Sequence, residues 1–130
     1  MSQNSENKDP WLTGTVLRGK KLGRTLSYPT LNLSKPEVMK GYKEGVYACV
    51  VEIGSRNYYG ALYYGPRIFL GENYAVLEIF VLNFSKEVYG EGIRFKPQQY
   101  IRDVLSFSST KKLQQQLQKD VAEIRRIYRL

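Results

Sequence analysis

From Trp11 to about Pro97, valine, isoleucine, tyrosine and phenylalanine recur in short runs broken by glycine, which is the pattern of successive strands and turns. The runs predict strands near 12–18, 29–33, 45–53, 57–64, 73–84 and 92–96. Between the second and third, KPEVMKGYKEG (35–45) reads as a longer surface connection. No segment of helical period separates the strands, as a parallel βαβ design would require, so an antiparallel sheet closed into a small barrel is expected. Beyond Ser108, Ser109 and Thr110, any of which could cap a helix, the period changes. Leu113, Leu117, Val121, Ile124 and Tyr128 form one apolar helical stripe. Arg125, Arg126 and Arg129 fall in its last turns, where the helix dipole favours positive charge.

At 130 residues the chain has the size of one domain. Its opening, MSQNSENKDP (1–10), is polar and lacks the apolar stretch of a signal peptide, so a disordered tail before a domain over 11–130 is expected. No uncharged apolar run approaches the roughly 18 residues of a membrane span, which predicts a soluble, cytoplasmic protein without a membrane partner. A lone cysteine, Cys49, between Ala48 and Val50 reads as a small buried residue of a strand and forbids an intramolecular disulfide. The absence of histidine removes Ser-His-Asp catalysis, phosphohistidine chemistry and the usual zinc sites.

Charge narrows the picture further. The net charge of +8 predicts attraction to a polyanion or a phosphorylated ligand. It is uneven: between Trp11 and Lys43 seven basic residues face one acid, Glu37. The anion site is expected there. Gly14, Gly19 and Gly23 frame TVLRGKKLGR, whose glycines allow close backbone approach and whose Lys20, Lys21 and Arg24 add charge; a phosphate cradle and a plain hairpin turn both fit. Pro29 biases Tyr28 toward an extended conformation, so alternation in the following TLN puts Thr30 and Asn32 side by side with Leu31 toward the core. Two neutral oxygen donors suit Mg²⁺ when nucleotide phosphates and water complete the shell, while a turn tied down by local hydrogen bonds is the structural alternative. In NYAVLEIFVLNF (73–84) Glu78 is the one ionised group. Burial would raise its pKa and make it a proton acceptor for a hydroxyl; pairing with Arg67 or Arg102 would make it structural.

The run GTVLRGKKLGRTLSYPTLNL (14–33) resembles the glycine-rich and Pro-Thr-Ala-Asn signature of the riboflavin kinase (flavokinase) family. Later landmarks follow in order: Gly45-Val46-Tyr47, Gly65-Pro66-Arg67, Glu78 in LEIFVLNF, Tyr89-Gly90, Ile101-Arg102, Phe107 and the closing helix with Asp120. The resemblance covers nearly everything after the polar tail. It implies a six-stranded antiparallel Greek-key β-barrel with a C-terminal helix packed against it. The implied reaction moves the γ-phosphate of ATP to the 5′-hydroxyl of riboflavin, giving FMN and ADP. A cytoplasmic monomer with no nucleic-acid partner is expected. By position, Thr30 and Asn32 would hold Mg²⁺ and phosphate oxygens, and Glu78 would accept the hydroxyl proton. Gly19 and Arg24 fall at nucleotide-contacting positions, Asn83 and Phe84 near the adenine, and Arg102 and Phe107 beside the flavin. The chain has no room for the nucleotidyltransferase domain that many family members carry, so another protein would have to make FAD.

The sequence departs from the family pattern at Ser27 and Leu31, which replace a glycine and an alanine, at Phe80, where histidine is common, and at Tyr63 and Ile68. None is a proposed metal ligand or base. Two other readings stay open on sequence. Eleven tyrosines and basic charge on a small barrel also suit a non-catalytic binder of single-stranded nucleic acid. A flavin-binding relative that has lost catalysis would keep the fold.

Overall fold

The computed structural model describes residues 10–18 and 30–130. Among them are β1 (Leu12–Leu17), β2 (Leu31–Leu33), β3 (Gly45–Ile53), β4 (Arg56–Gly65), β5 (Val76–Val81), β6 (Gly92–Arg102) and one α-helix, α1 (Thr110–Tyr128). The strands close into an antiparallel barrel in the order β1-β2-β5-β4-β3-β6. Strands β3, β4 and β5 follow one another and β6 returns beside β3, which is the Greek-key arrangement.

Alternation along the strands divides the molecule into two apolar layers. Tyr47, Cys49, Val51 and Ile53 of β3 point into the barrel, where they meet Leu62, Ile79 and Phe95. The opposite parity points outward. Ala48 and Ala61 are cross-strand partners, and these two small side chains make room for Ile124 of α1, which is fully buried beside Ala48 and Leu82. The expected helical stripe therefore seats the helix over β4 and β3. Ser109 is the residue that caps it, accepting a hydrogen bond from the Lys112 N–H at 3.2 Å. No helix among the described residues is long and apolar enough to cross a membrane.

Three local departures from the strand pattern have identifiable causes. Strand β6 continues through Pro97 to Arg102 instead of stopping before the proline. Its register against β3 slips between the Ala48–Gln99 and Cys49–Pro97 pairs, so the proline, which has no N–H to donate, sits at a bulge. Strand β5 is shorter than its apolar run because Asn83 takes φ +59° and turns the chain. The connection at 35–45 holds a 3₁₀ turn, Pro36–Met39, that buries Met39 completely in the barrel core.

At the start of β3 the chain needs glycine. Gly45 has φ +149°, and a Cβ there would lie 2.2 Å from the carbonyl oxygen of Arg102. Gly45→Ala is expected to destabilise the fold by about 2–4 kcal/mol through strain and overpacking, read as a lower urea midpoint at unchanged slope.

Candidate functional site

The register between strands assembles the site. Asn32 on β2 pairs with Glu78 on β5, and Glu78 pairs with Tyr63 on β4. Directly paired residues share a face of the sheet. The intervening Leu31, Ile79 and Leu62 turn inward to the core, so Asn32, Glu78 and Tyr63 form a row on the outer face. Just before β2, Thr30 donates its hydroxyl hydrogen to Glu78 Oε1 at 3.0 Å. From the β4–β5 connection Arg67 donates Nη1–H to Glu78 Oε2 at 2.8 Å. The same guanidinium donates Nε–H and Nη2–H to the two oxygens of Glu72, at 2.8 and 3.0 Å.

These groups are largely withdrawn from water, with side-chain exposures of 12% for Arg67, 6% for Glu72 and 14% for Glu78. Burial pushes the Glu78 carboxyl above its ordinary value, and the Arg67 charge and the Thr30 hydroxyl pull it part of the way back. Burial also lifts the Tyr63 phenol to about 12, so at neutral pH it is a hydroxyl, and it donates to the Pro66 carbonyl. Beside the row opens a cleft of about 610 Å³ whose lining includes Asn32, Arg67 and Tyr74 together with the cations Arg18 and Lys35. A basic cleft beside a buried carboxylate can take an anionic substrate and a proton-donating partner together.

The model of one protein family, riboflavin kinase, matches residues 7–128. The chain belongs to the riboflavin kinase family. It is 34% identical over 121 residues to a bifunctional riboflavin kinase/FMN adenylyltransferase of Listeria monocytogenes, covering 92% of this chain and 38% of that protein. Against the RNA-binding riboflavin kinase RibR of Bacillus subtilis it is 32% identical, over 92% of this chain and 51% of the relative. The chain thus spans between about two fifths and one half of these curated relatives. Among solved structures, riboflavin kinase from Trypanosoma brucei shares the fold with a TM-score of 0.66 at 23% identity, over 92% of this chain and 79% of that one. A Streptococcus pneumoniae chain described as a macrolide-efflux protein matches with a TM-score of 0.74 at 29% identity, over 88% of this chain and 38% of its own.

Within this riboflavin kinase fold the residues singled out from sequence separate into groups. Thr30, Asn32 and Glu78 come together. Gly19 and Arg24 lie outside the described residues. Asn83 and Phe84 sit past the end of β5; Asn83 is exposed, and Phe84 packs edge-on against Tyr58 at 5.1 Å between ring centroids. Arg102 lies on the same outer face as Glu78, three strands away by the pairings Glu78–Tyr63–Val46–Arg102, or roughly 14 Å of sheet. Its guanidinium grips Asp120 of α1 through Nε and Nη2, at 2.9 and 2.8 Å. Phe107 packs edge-on against Phe69, whose loop also carries Arg67, with centroids 6.1 Å apart.

Of the departures from the family pattern, Leu31 packs against the barrel core and Phe80 against the layer under α1. Both substitutions therefore fall on packing surfaces. Glu72 escaped the sequence reading. The signal for it is a carboxylate five residues after Arg67 with Gly71 just before it, at φ +75°, turning the chain back.

Proposed function

We propose that this chain transfers the γ-phosphate of ATP to the ribityl 5′-hydroxyl of riboflavin, giving FMN and ADP. The observation that carries the reading is the meeting of Thr30, Asn32 and a buried Glu78 on one face beside a basic cleft. Glu78 accepts the hydroxyl proton as the alcohol oxygen bonds to the γ-phosphorus and the bond to the ADP oxygen breaks. Withdrawal from water makes that carboxylate a better base, and Arg67 holds it in place. The cations of the cleft attract the triphosphate. The apolar end of the barrel, with Phe107, Phe69 and the exposed Ile68, Leu70 and Leu105, suits a planar flavin ring.

Among the described residues no group of three or more acidic, cysteine or histidine side chains could cage a metal ion. Thr30 and Asn32, neutral donors next to Glu78, fit an ion whose remaining ligands are phosphate oxygens and water, as Mg²⁺ prefers. They are the residues that would hold Mg²⁺, which when bound neutralises charge on the phosphate oxygens. Asn32→Ala is expected to raise the Mg²⁺ concentration for half-maximal turnover by about tenfold or more. A magnesium titration of initial rates checks this, and an unshifted midpoint would take Asn32 out of the metal site.

Separation of products by chromatography after incubation with riboflavin and Mg·ATP tests the whole reading. FMN and ADP in equal amounts are expected. Riboflavin recovered unchanged would overturn it.

A further inference from the structure

Arginine and carboxylate groups favour a two-pronged contact in which both oxygens are taken. Glu78 does not receive one. The fork formed by Nε and Nη2 of Arg67 goes to Glu72, and Glu78 is left a single N–H, from Nη1 to Oε2. Oε1 of Glu78 faces the Thr30 hydroxyl instead. The loop is built to make this division. Leu70 N–H and Glu72 N–H both donate to the Arg67 carbonyl, at 3.0 and 3.3 Å, and Gly71 N–H donates to the Ile68 carbonyl at 2.9 Å. That turn lays Glu72 back onto the arginine five residues before it, and both side chains are buried there.

Resting on the kinase reading, we infer that Glu72 is a positioning residue: by occupying the fork of Arg67 it limits that arginine to Oε2 of Glu78, so that Oε1, which accepts from the Thr30 hydroxyl, keeps its second lone pair for the substrate alcohol. Without Glu72 the flexible arginine has Glu78 as its nearest carboxylate and closes on both of its oxygens. The base is then clamped and its contact with Thr30 is broken. Flavin and nucleotide still bind: Arg67 stays in the cleft beside Arg18 and Lys35, and the backbone hydrogen bonds of the 67–72 turn still hold Ile68, Phe69 and Leu70.

The test is a pair of substitutions in the full chain, Glu72→Ala and Glu72→Gln, each made in the native background and in Glu78→Gln, with FMN formation measured at steady state. In the native background kcat is expected to fall by about 10–100-fold for Glu72→Ala and less for Glu72→Gln, which keeps one acceptor, with both KM values within about twofold. In the Glu78→Gln background neither substitution should lower kcat further, because the effect runs through Glu78. The same fold-loss in both backgrounds, unchanged kcat in the native one, or loss of the folded circular dichroism signal in both variants would each assign Glu72 a structural role and overturn the inference. Native protein that forms no FMN would instead overturn the kinase reading on which it rests.

Discussion

Glu78→Gln is expected to lower kcat for FMN formation by about 10²–10⁴-fold, the usual worth of a general base. Glutamine keeps the shape of the side chain. Its carbonyl can accept from Arg67 Nη1, and its amide can donate to the Thr30 hydroxyl, which at present donates to Glu78. What disappears is the ability to take a proton. The KM values for riboflavin and ATP should therefore stay within a few-fold, and a fluorescence titration of riboflavin should give nearly native affinity. The fold should not suffer either, since Arg67 retains its two-pronged contact with Glu72. Turnover equal to native would move the base elsewhere.

Asp120→Ala is expected to cost about 3–5 kcal/mol, because it leaves a charged guanidinium without its partner at the boundary of the helix and the sheet. Asp120 is 3% exposed and takes both prongs of Arg102, with a further bond from Gln116 Nε2 at 3.0 Å. For a domain whose total stability is typically about 5–15 kcal/mol, that is a large share. Urea denaturation should show it directly. Replacing both partners with apolar residues, as in Arg102→Met with Asp120→Leu, should recover most of the loss, the behaviour of a buried ion pair. The same double variant bears on Arg102 as a flavin contact: a large fall in riboflavin affinity with stability restored would support that role, and native affinity would confine Arg102 to holding the helix.

Alternation is written into the chain, and it made the barrel legible: Leu31 inward with Thr30 and Asn32 outward, Cys49 among core residues, and a helix with one apolar stripe. Register is not written in the same way. Glu78 stands out as one ion in an apolar run, yet parity alone gives no preference between Arg67 and Arg102 as its partner. The pairing of Glu78 with Tyr63 decides it, because Arg67 follows Tyr63 by one short turn whereas Arg102 is three strands off. Tyr63, visible beforehand only as a departure from a pattern, belongs to the site's row for the same reason. Turns were the other blind spot. The bulge that admits Pro97 into β6, the left-handed Asn83 that ends β5 and the loop that folds Glu72 onto Arg67 are each set by partners distant along the chain.

In the proposed reaction the substrate alcohol and the nucleotide phosphates meet at the row formed by Asn32 and Glu78, with Thr30 alongside. The most direct measurement is a crystal structure of the protein with Mg·ADP and riboflavin, and the distance in it from the ribityl 5′-oxygen to the Glu78 carboxylate. Hydrogen-bond distance, about 3 Å, is expected, with the metal against Thr30 and Asn32. A 5′-oxygen that points away from Glu78, or a nucleotide bound away from that face, would contradict it.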